Sequence, residues 1–188
     1  MRIENIWAII AGAGVGSRFG GSIPKQYAHL DGKTVAYHSI QRLIDTNLFE
    51  KIIIVLDRND CWFKSISLPK KSNIEIVYGG NSRAKSVRNG LLSLGNIARP
   101  NDWILVHDIV RPLVTTDSIE RLFSEVSEQD VAAILASSID QTIKKTFNKN
   151  DSEKKMIIDR TLDRNKLWAA QTPQIVRYEI LCKALDKT

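Results

Sequence analysis

Five short runs of apolar residues, most of them β-branched, are spread along the chain, and amphipathic segments separate them. The runs lie at 6–10, 52–56, 74–77, 103–107 and 131–135. Continuous runs of this kind are typical of strands that are covered on both faces, as in a parallel sheet. Apolar residues at helical spacing predict helices at 35–44, 83–94, 116–126 and 177–184, with Thr116 or Asp117 as the cap of the third. The alternation predicts an α/β fold with a doubly wound, mostly parallel sheet and helices on both faces.

A single domain accounts for the chain of 188 residues, of which 43% are hydrophobic and 26% charged. Cys61 and Cys182 lie far apart without disulfide or metal-ligand spacing, which favours a reducing compartment. No apolar run approaches the roughly 20 residues that span a bilayer, and no cleavage signal marks the N-terminus. We therefore expect a cytoplasmic protein without a membrane partner.

The net charge of +6 suits a nucleic acid, an anionic membrane or a phosphorylated small molecule as partner. The basic residues are scattered, and no basic tract with interleaved aromatic residues is present, so nucleic-acid binding is not expected. The net charge is equally compatible with an ordinary basic surface that binds no anionic partner. Sequence motifs must therefore decide between these interpretations.

A glycine-rich loop follows directly after the first predicted strand. Glycines occupy positions 12, 14, 16, 20 and 21, and Pro24-Lys-Gln-Tyr27 comes next. Glycine lets a backbone approach a ligand closely, and consecutive N–H groups in such a loop form a concave anion site. Arg18 and Lys25 add the cations that a triphosphate needs. The place of the loop at the carboxyl end of a strand favours a phosphate site over a plain surface turn.

Two common phosphate-binding motifs are excluded. The dinucleotide pattern Gly-x-Gly-x-x-Gly requires glycine at position 17 or 19, which hold Ser17 and Phe19. Gly32-Lys33-Thr34 matches the end of the P-loop pattern, but Tyr27 stands where its first glycine belongs.

Four ordered motifs carry a resemblance to a known family. They are Ala-Gly-Ala-Gly-Val-Gly-Ser-Arg-Phe-Gly with Pro-Lys-Gln-Tyr (11–27), Gly-Gly-Asn-Ser-Arg-Ala-Lys-Ser-Val-Arg-Asn-Gly-Leu (79–91), Val-His-Asp-Ile-Val-Arg-Pro (106–112) and Thr-Leu-Asp-Arg-Asn-Lys-Leu-Trp-Ala-Ala-Gln-Thr-Pro-Gln (161–174). Together they resemble the signature motifs of the 2-C-methyl-D-erythritol 4-phosphate cytidylyltransferases of the non-mevalonate isoprenoid pathway. The similarity extends from about residue 6 to the end of the chain.

The resemblance implies a Rossmann-like nucleotidyltransferase fold with a protruding β-arm at about 138–164, through which two copies form a homodimer. It implies transfer of CMP from CTP to 2-C-methyl-D-erythritol 4-phosphate, which gives 4-diphosphocytidyl-2-C-methyl-D-erythritol and pyrophosphate. The implied cofactor is Mg²⁺, bound mainly through the CTP phosphates, so no metal ligand from the protein is assigned.

The resemblance also implies a set of site residues. Arg18 and Lys25 are the expected catalytic cations. The expected CTP-binding residues are Ala11, Gly12, Ala13, Gly14, Gly16, Ser17, Gly80, Asn81, Ser86 and Asp108. The expected substrate-binding residues are Asp108, Arg111, Thr142, Arg164 and Thr172. Without the resemblance, Asp108 and Arg111 equally suit a surface ion pair, and Ser86 equally suits the start of a helix.

Two alternatives to this function stay open. Ribitol 5-phosphate is an alternative acceptor, because the related ribitol enzymes share the glycine loop and the His-Asp-x-x-Arg-Pro motif; residues 86–91 and 161–168 favour the methylerythritol acceptor. The chain also ends soon after the Gln-Thr-Pro-Gln motif, so we expect it to lack the family's C-terminal segment. A non-catalytic nucleotide-binding remnant is therefore the second alternative.

Overall fold

The computed structural model describes residues 5–14, 23–69, 73–148 and 156–187. In chain order the described strands are β1 (Ile6–Ala11), β2 (His29–Leu30), β3 (Lys33–Thr34), β4 (Lys51–Leu56), β5 (Ile74–Tyr78), β6 (Trp103–Asp108), β7 (Ala132–Ser138), β8 (Lys144–Asn148), β9 (Met156–Thr161) and β10 (Trp168–Arg177). The described α-helices are α1 (Val35–Asp45), α2 (Arg83–Ser93), α3 (Thr116–Ser124) and α4 (Tyr178–Leu185). Every strand and helix that the periodicity predicts is confirmed, within a few residues at the ends.

The main sheet has the strand order β5-β4-β1-β6-β10-β7. Its strands β5, β4, β1 and β6 are parallel, whereas β10 pairs antiparallel with β6. The chain builds outwards from β1 to β5 on one side and continues with β6 on the other side, so the strand order reverses beside β1. Open α/β sheets bind ligands at such a reversal, outside the carboxyl ends of the strands. The predicted mostly parallel α/β fold is confirmed.

Both faces of the sheet are covered. Trp7 and Ile9 point to one face and pack in a buried cluster with α2, against which α4 also packs. Ala8 and Ile10 point to the opposite face because side chains alternate along a strand, and they are fully buried too. Helices α1 and α3 contact each other, and both bury apolar side chains, among them Ile40 and Ile119. No helix within the described ranges is long and apolar enough to cross a membrane.

Polar side chains cap the helices where the chain enters them. The Thr34 hydroxyl accepts from the Tyr37 amide and caps α1. In Gly32-Lys33-Thr34, Gly32 therefore lies in the β2–β3 turn, Lys33 lies on β3, and Thr34 ends β3 as the helix cap. The cap of α3 is Thr115, whose hydroxyl accepts from the Ser118 amide at 3.1 Å. The predicted cap at Thr116 or Asp117 is therefore wrong by one or two residues, because the extended backbone conformation that capping needs occurs at Thr115.

The chain divides into two compact units. One comprises Met1–Ile134 with Thr172–Thr188, and the other is Leu135–Gln171. The smaller unit contains the antiparallel pair β8–β9, which lies within the range of about 138–164 that the resemblance implies for a β-arm. The residues between these two strands, 149–155, lie outside the described residues.

Candidate functional site

An open cavity of about 880 Å³ lies in the larger unit, at the carboxyl ends of the parallel strands. Four segments line it, one after each of the strands β1, β4, β5 and β6, together with the turn at Lys25 and Gln26. The lining residues are Ala11, Gly12, Ala13, Gly14, Lys25, Gln26, Asp57, Gly80, Asn81, Ser82, Arg83, Ser86, Asp108, Ile109, Val110 and Arg111. The volume lies in the range that small-molecule sites occupy.

Gln26 holds the described part of the glycine loop. Its side chain is only 3% exposed, and Nε2 donates to the carbonyl oxygens of Gly12 and Gly14, at 3.3 Å each. The Gly12 amide donates to the Val55 carbonyl at 2.8 Å, which joins the loop to β4. A Cβ at Gly12 would lie 3.0 Å from Ile109, so this position has little room for a larger residue. The loop is thus fixed by its neighbours before any ligand arrives.

Lys25 is the exposed first residue of a short turn beside the glycine loop, and it lines the cavity. The turn continues into Tyr27, which is buried and donates its hydroxyl proton to Asp60. Burial, together with this carboxylate, raises the pKa of the Tyr27 phenol. The other carboxylate oxygen of Asp60 accepts from the backbone amides of Trp62 and Phe63. The turn that carries Lys25 is therefore anchored to the segment that follows β4.

The segment between β5 and α2 is organised by Ser86. Its hydroxyl is buried, accepts from the Gly80 amide at 3.2 Å and donates to the Ser82 carbonyl at 2.9 Å. Ser82, whose hydroxyl accepts from the Lys85 amide, is the cap of α2, so Ser86 does not start this helix. Gly79 lies where a Cβ would come within 2.4 Å of the Ala13 Cβ. This contact places the 79–86 segment directly against the glycine loop.

Asp108, at the end of β6, is paired with Arg83 from the start of α2. The guanidinium Nε and Nη2 atoms both lie 2.9 Å from Asp108 Oδ1. The alternative of an Asp108–Arg111 ion pair is therefore wrong for the carboxylate, although the Arg111 amide donates to the Asp108 carbonyl. Because Arg83 and Asp108 come from different sides of the cavity, their pair spans the space between α2 and β6.

His107 is fully buried next to Asp108 and has a polar partner at each ring nitrogen. Nε2 lies 3.1 Å from the Arg111 carbonyl oxygen, and Nδ1 lies 3.1 Å from Thr172 Oγ1. The Asp108 amide donates to the same hydroxyl oxygen at 3.3 Å. Burial lowers the pKa of His107 to about 4, so the imidazole is neutral at physiological pH.

Most sequence-predicted site residues come together in this cavity. It is lined by Ala11, Gly12, Ala13, Gly14, Lys25, Gly80, Asn81, Ser86, Asp108 and Arg111. Gly16, Ser17 and Arg18 lie outside the described residues. Thr172 lies behind the end of β6, where it bonds to His107 and Asp108 rather than lining the cavity.

Thr142 and Arg164 belong to the smaller unit, and both are exposed. The Arg164 guanidinium donates to the Asp140 carbonyl, which links the two ends of the β8–β9 hairpin region. Trp168, at the start of β10, is 65% exposed and so is no part of this chain's core.

Comparisons with known protein families, sequences and solved structures all indicate the same family. Residues 6–188 match the family of 2-C-methyl-D-erythritol 4-phosphate cytidylyltransferases. The chain belongs to this family. The enzyme of that name from Wigglesworthia glossinidia brevipalpis is 38% identical over 96% of this chain and 74% of its own length. The one from Pseudoalteromonas translucida is 41% identical over 96% of this chain and 70% of its own length.

Solved structures of the cytidylyltransferase family agree with the fold. The Francisella tularensis 2-C-methyl-D-erythritol 4-phosphate cytidylyltransferase has a TM-score of 0.74 and 35% identity, and covers 98% of this chain and 77% of its own. A crystal structure of 4-diphosphocytidyl-2C-methyl-D-erythritol synthase has a TM-score of 0.80 at 26% identity over 99% and 80% of the two chains.

Six cavity residues of this cytidylyltransferase family member were not among the predicted site residues: Gln26, Asp57, Ser82, Arg83, Ile109 and Val110. Gln26 is next to Lys25 in the Pro-Lys-Gln-Tyr motif, and an amide beside a glycine loop is a signal that could have been used. Asp57 directly follows a predicted buried strand and so lies at the carboxyl edge of the sheet. No local pattern indicated the pairing of Arg83 with Asp108.

Proposed function

We propose that the protein is a cytidylyltransferase that transfers CMP from CTP to 2-C-methyl-D-erythritol 4-phosphate and releases pyrophosphate. The single observation that carries the proposal is the cavity at the carboxyl ends of the parallel strands. It combines a glycine loop, a lysine and the 79–86 segment in one site of the larger unit. Family membership supplies the substrate class.

The reaction needs positioning and charge neutralisation more than it needs a base. A phosphate monoester is already an anionic nucleophile near neutral pH, and its oxygen attacks the α-phosphorus of CTP in line with the leaving pyrophosphate. The barrier comes from bringing two anions together, which preorganised donors and cations lower. Neutral His107 is buried behind the cavity wall, and we assign it no proton transfer.

The charges of the cavity fit this requirement. Lys25, Arg83 and Arg111 face it against two carboxylates, Asp57 and Asp108. Asp108 is already compensated by Arg83, which leaves an excess of positive charge for phosphates. We propose that Lys25 and Arg18 bind the triphosphate and stabilise the α-phosphate, with amides of the glycine loop beyond Gly12 as the anion nest.

The remaining binding roles follow from the sides of the cavity. Gly80, Asn81 and Ser86 are proposed to recognise cytosine, because they border the cavity beside the loop. Asp108 and Arg111 are proposed to lie where the CTP ribose and the acceptor meet. Thr142 and Arg164 are proposed to bind acceptor phosphate in a partner subunit.

The donor set fits Mg²⁺ bound mainly through the CTP phosphates. No cluster of three or more candidate metal ligands occurs in the described part of the chain, and the cavity offers the carboxylates of Asp57 and Asp108. Mg²⁺ keeps several waters and takes phosphate oxygens with one or two carboxylates, as such a site would provide. When bound, Mg²⁺ neutralises part of the phosphate charge, and the protein's own cations neutralise the remainder.

We further propose a cytoplasmic homodimer formed through the smaller unit. That unit exposes large apolar side chains, namely Phe147, Met156, Ile158 and Trp168. An exposed apolar surface of this kind is typical of an interaction site. Ile158→Asp should convert dimers into monomers in size-exclusion chromatography with light scattering. A persisting dimer would exclude the hairpin as the interface. The free thiols of Cys61 and Cys182 suit a reducing compartment.

Pyrophosphate release tests the reaction. The purified protein, given Mg²⁺ and CTP, should release pyrophosphate with 2-C-methyl-D-erythritol 4-phosphate and not with ribitol 5-phosphate. Turnover with ribitol 5-phosphate alone would reverse the choice of acceptor. CTP binding by calorimetry without turnover on either acceptor would identify a nucleotide-binding remnant.

Lys25→Ala tests the catalytic assignment. We expect a rate at least about 100-fold lower, by analogy with the removal of one donor from other anion-stabilising sites. Lys33→Ala is the matched control, because Lys33 lies on β3 over the Tyr37 ring and does not line the cavity. Equal rates for the two variants would contradict the role of Lys25.

A further inference from the structure

An ion pair connects the start of α2 with the end of β6, and both of its residues line the cavity. Arg83 Nε and Nη2 each lie 2.9 Å from Asp108 Oδ1. The segment that carries Arg83 follows β5, whereas β6 lies on the other side of β1 in the sheet. The pair therefore joins the two sides of the cavity, and the strand that leads into the glycine loop lies between them.

The stability of the fold does not explain this pair. The Arg83 side chain is 51% exposed and the Asp108 side chain 26%. Ion pairs that are this accessible to water contribute little to stability, because water screens both charges and the side chains lose freedom on pairing. Helix α2 begins at the Ser82 cap, whose hydroxyl accepts from the Lys85 amide at 3.1 Å. The effect of the pair therefore lies in the charge of the cavity.

An unpaired Asp108 carboxylate would oppose the binding of a nucleoside triphosphate. It lines the same cavity as the glycine loop, and like charges that are brought together weaken binding. The Arg83 guanidinium supplies the compensating positive charge on the spot. This compensation allows a carboxylate to remain in a site that must accept a polyanion.

The geometry of the pair also divides the work between the two carboxylate oxygens. Both guanidinium contacts are made with Oδ1, and Oδ2 has no hydrogen-bond partner among the described residues. A carboxylate oxygen only accepts, so Oδ2 suits a sugar hydroxyl, which donates. One oxygen thus holds the side chain in place, and the other is available to the nucleotide.

We propose that Arg83 is a positioning residue for CTP binding that acts through Asp108. It neutralises the carboxylate beside the triphosphate and holds Oδ1, so that Oδ2 can accept from the ribose. The inference rests on the proposed function and adds to it the residue that makes an acidic side chain compatible with an anionic substrate.

Arg83→Ala tests the proposal in two backgrounds, with the dissociation constant of CTP measured by calorimetry in the presence of Mg²⁺. In the wild type the variant should weaken CTP binding roughly 10- to 100-fold, the size of effect of one hydrogen bond to a charged group. In Asp108→Asn, which keeps the shape and removes the charge, the same substitution should change the constant by no more than roughly threefold.

Equal losses in the two backgrounds would overturn the proposal, because Arg83 would then act on CTP without Asp108. Unchanged CTP binding in Arg83→Ala alone would overturn it as well. Arg83→Lys keeps the positive charge and should recover most of the affinity. A loss as large as that of Arg83→Ala would contradict charge compensation.

Arg88→Ala is the matched control on the same helix. Arg88 also forms an ion pair, with Asp186 at 2.5 Å, and does not line the cavity. This variant should bind CTP like the wild type, and a loss equal to that of Arg83→Ala would overturn the inference. Circular dichroism melting should show little change in Arg83→Ala, so that weaker binding is not caused by unfolding.

Calorimetry separates this inference from the proposed function, because binding is measured without turnover. A wild type that binds CTP but releases no pyrophosphate with either acceptor would overturn the proposed function and leave the role of Arg83 in binding standing. A wild type that turns over, together with an Arg83→Ala variant that binds CTP equally well, would overturn only the inference.

Discussion

Acidification from pH 7 to pH 5 should destabilise this protein through His107 in particular. The ring is fully buried, and burial lowers its pKa to about 4 from the ordinary value of 6.5. The backbone bond to Arg111 and the Asp108 charge favour the protonated ring, whereas the Arg111 and Arg83 charges oppose it, and burial outweighs them all. His107 therefore costs no stability while it is neutral in both the folded and the unfolded protein. It begins to favour unfolding at a pH at which only the unfolded chain is protonated at this residue.

The direction and size of the effect follow from proton linkage. Below pH 6.5 the unfolded chain takes up a proton at this residue, and the folded protein does not until about pH 4. The free energy of unfolding therefore falls as the pH drops through this window and is unaffected by His107 above it. The whole shift corresponds to about 3 kcal/mol, of which about 2 kcal/mol is lost between pH 7 and pH 5. This is a substantial part of the 5–15 kcal/mol typical of a domain.

Urea unfolding at pH 7 and pH 5 measures the loss, and His107→Gln isolates it. The glutamine amide still donates to the Arg111 carbonyl and does not titrate. All other groups titrate alike in both proteins, so the wild type should lose about 2 kcal/mol more than the variant between the two pH values. Equal losses in the two proteins would refute the burial argument, as would an NMR pKa of His107 near 6.5.

Two further predictions concern positions whose packing or capping decides the effect. Gly79→Ala should cost about 1–3 kcal/mol of stability and weaken CTP binding, because the new Cβ would lie 2.4 Å from the Ala13 Cβ; Gly14→Ala is its control for thermal unfolding, since a Cβ there meets no described atom within 4 Å. Thr115→Ala should cost about 1 kcal/mol in urea unfolding, because the residue caps α3. Thr116→Ala should lower the free energy of unfolding by less than Thr115→Ala. A larger loss for Thr116→Ala would identify Thr116 as the cap.

The sequence predicted the fold correctly where a strand is buried on both faces and is therefore a continuous run of apolar residues. The apolar runs of β1, β4 and β6 are buried on both faces, and their composition shows it directly. Strand β10 has no such signature, since it contains Gln171-Thr-Pro-Gln174 and proline is unusual inside a strand. It forms because residues 174–177 pair with β6, a partner about 70 positions earlier. Pairing at that distance is a tertiary effect that local propensity does not contain.

The candidate site was predictable where the function of a residue depends on its position after a strand. The glycine loop and Asp108 each follow a buried strand, and both line the cavity. The partners of these residues were not predictable. Asp108 pairs with Arg83, 25 positions away, instead of its neighbour Arg111. The distance between two loops depends on strand order, and strand order emerges only when the sheet assembles.

The two ends of β6 show why a neutral network is appropriate behind the cavity. At the amino end, buried Asp102 accepts from Trp7 Nε1 at 2.9 Å and from the Asn5 and Arg99 amides. A buried carboxyl group is tolerated there because these three donors satisfy its oxygens. At the carboxyl end, the His107 imidazole and the Thr172 hydroxyl hold the backbone in the same way, and both groups are uncharged.

A charged residue in place of His107 would change the field at a site that must attract two phosphate anions. A buried carboxylate would oppose the binding of both, and an ammonium without a counterion would carry a large desolvation cost. The neutral series from Asp108 to Arg111 fixes the turn and leaves Lys25, Arg83 and Arg111 to set the potential. Because burial lowers the pKa of His107, the ring stays uncharged at the pH at which the phosphates are ionised. The ring can therefore hold the turn without changing the charge of the site.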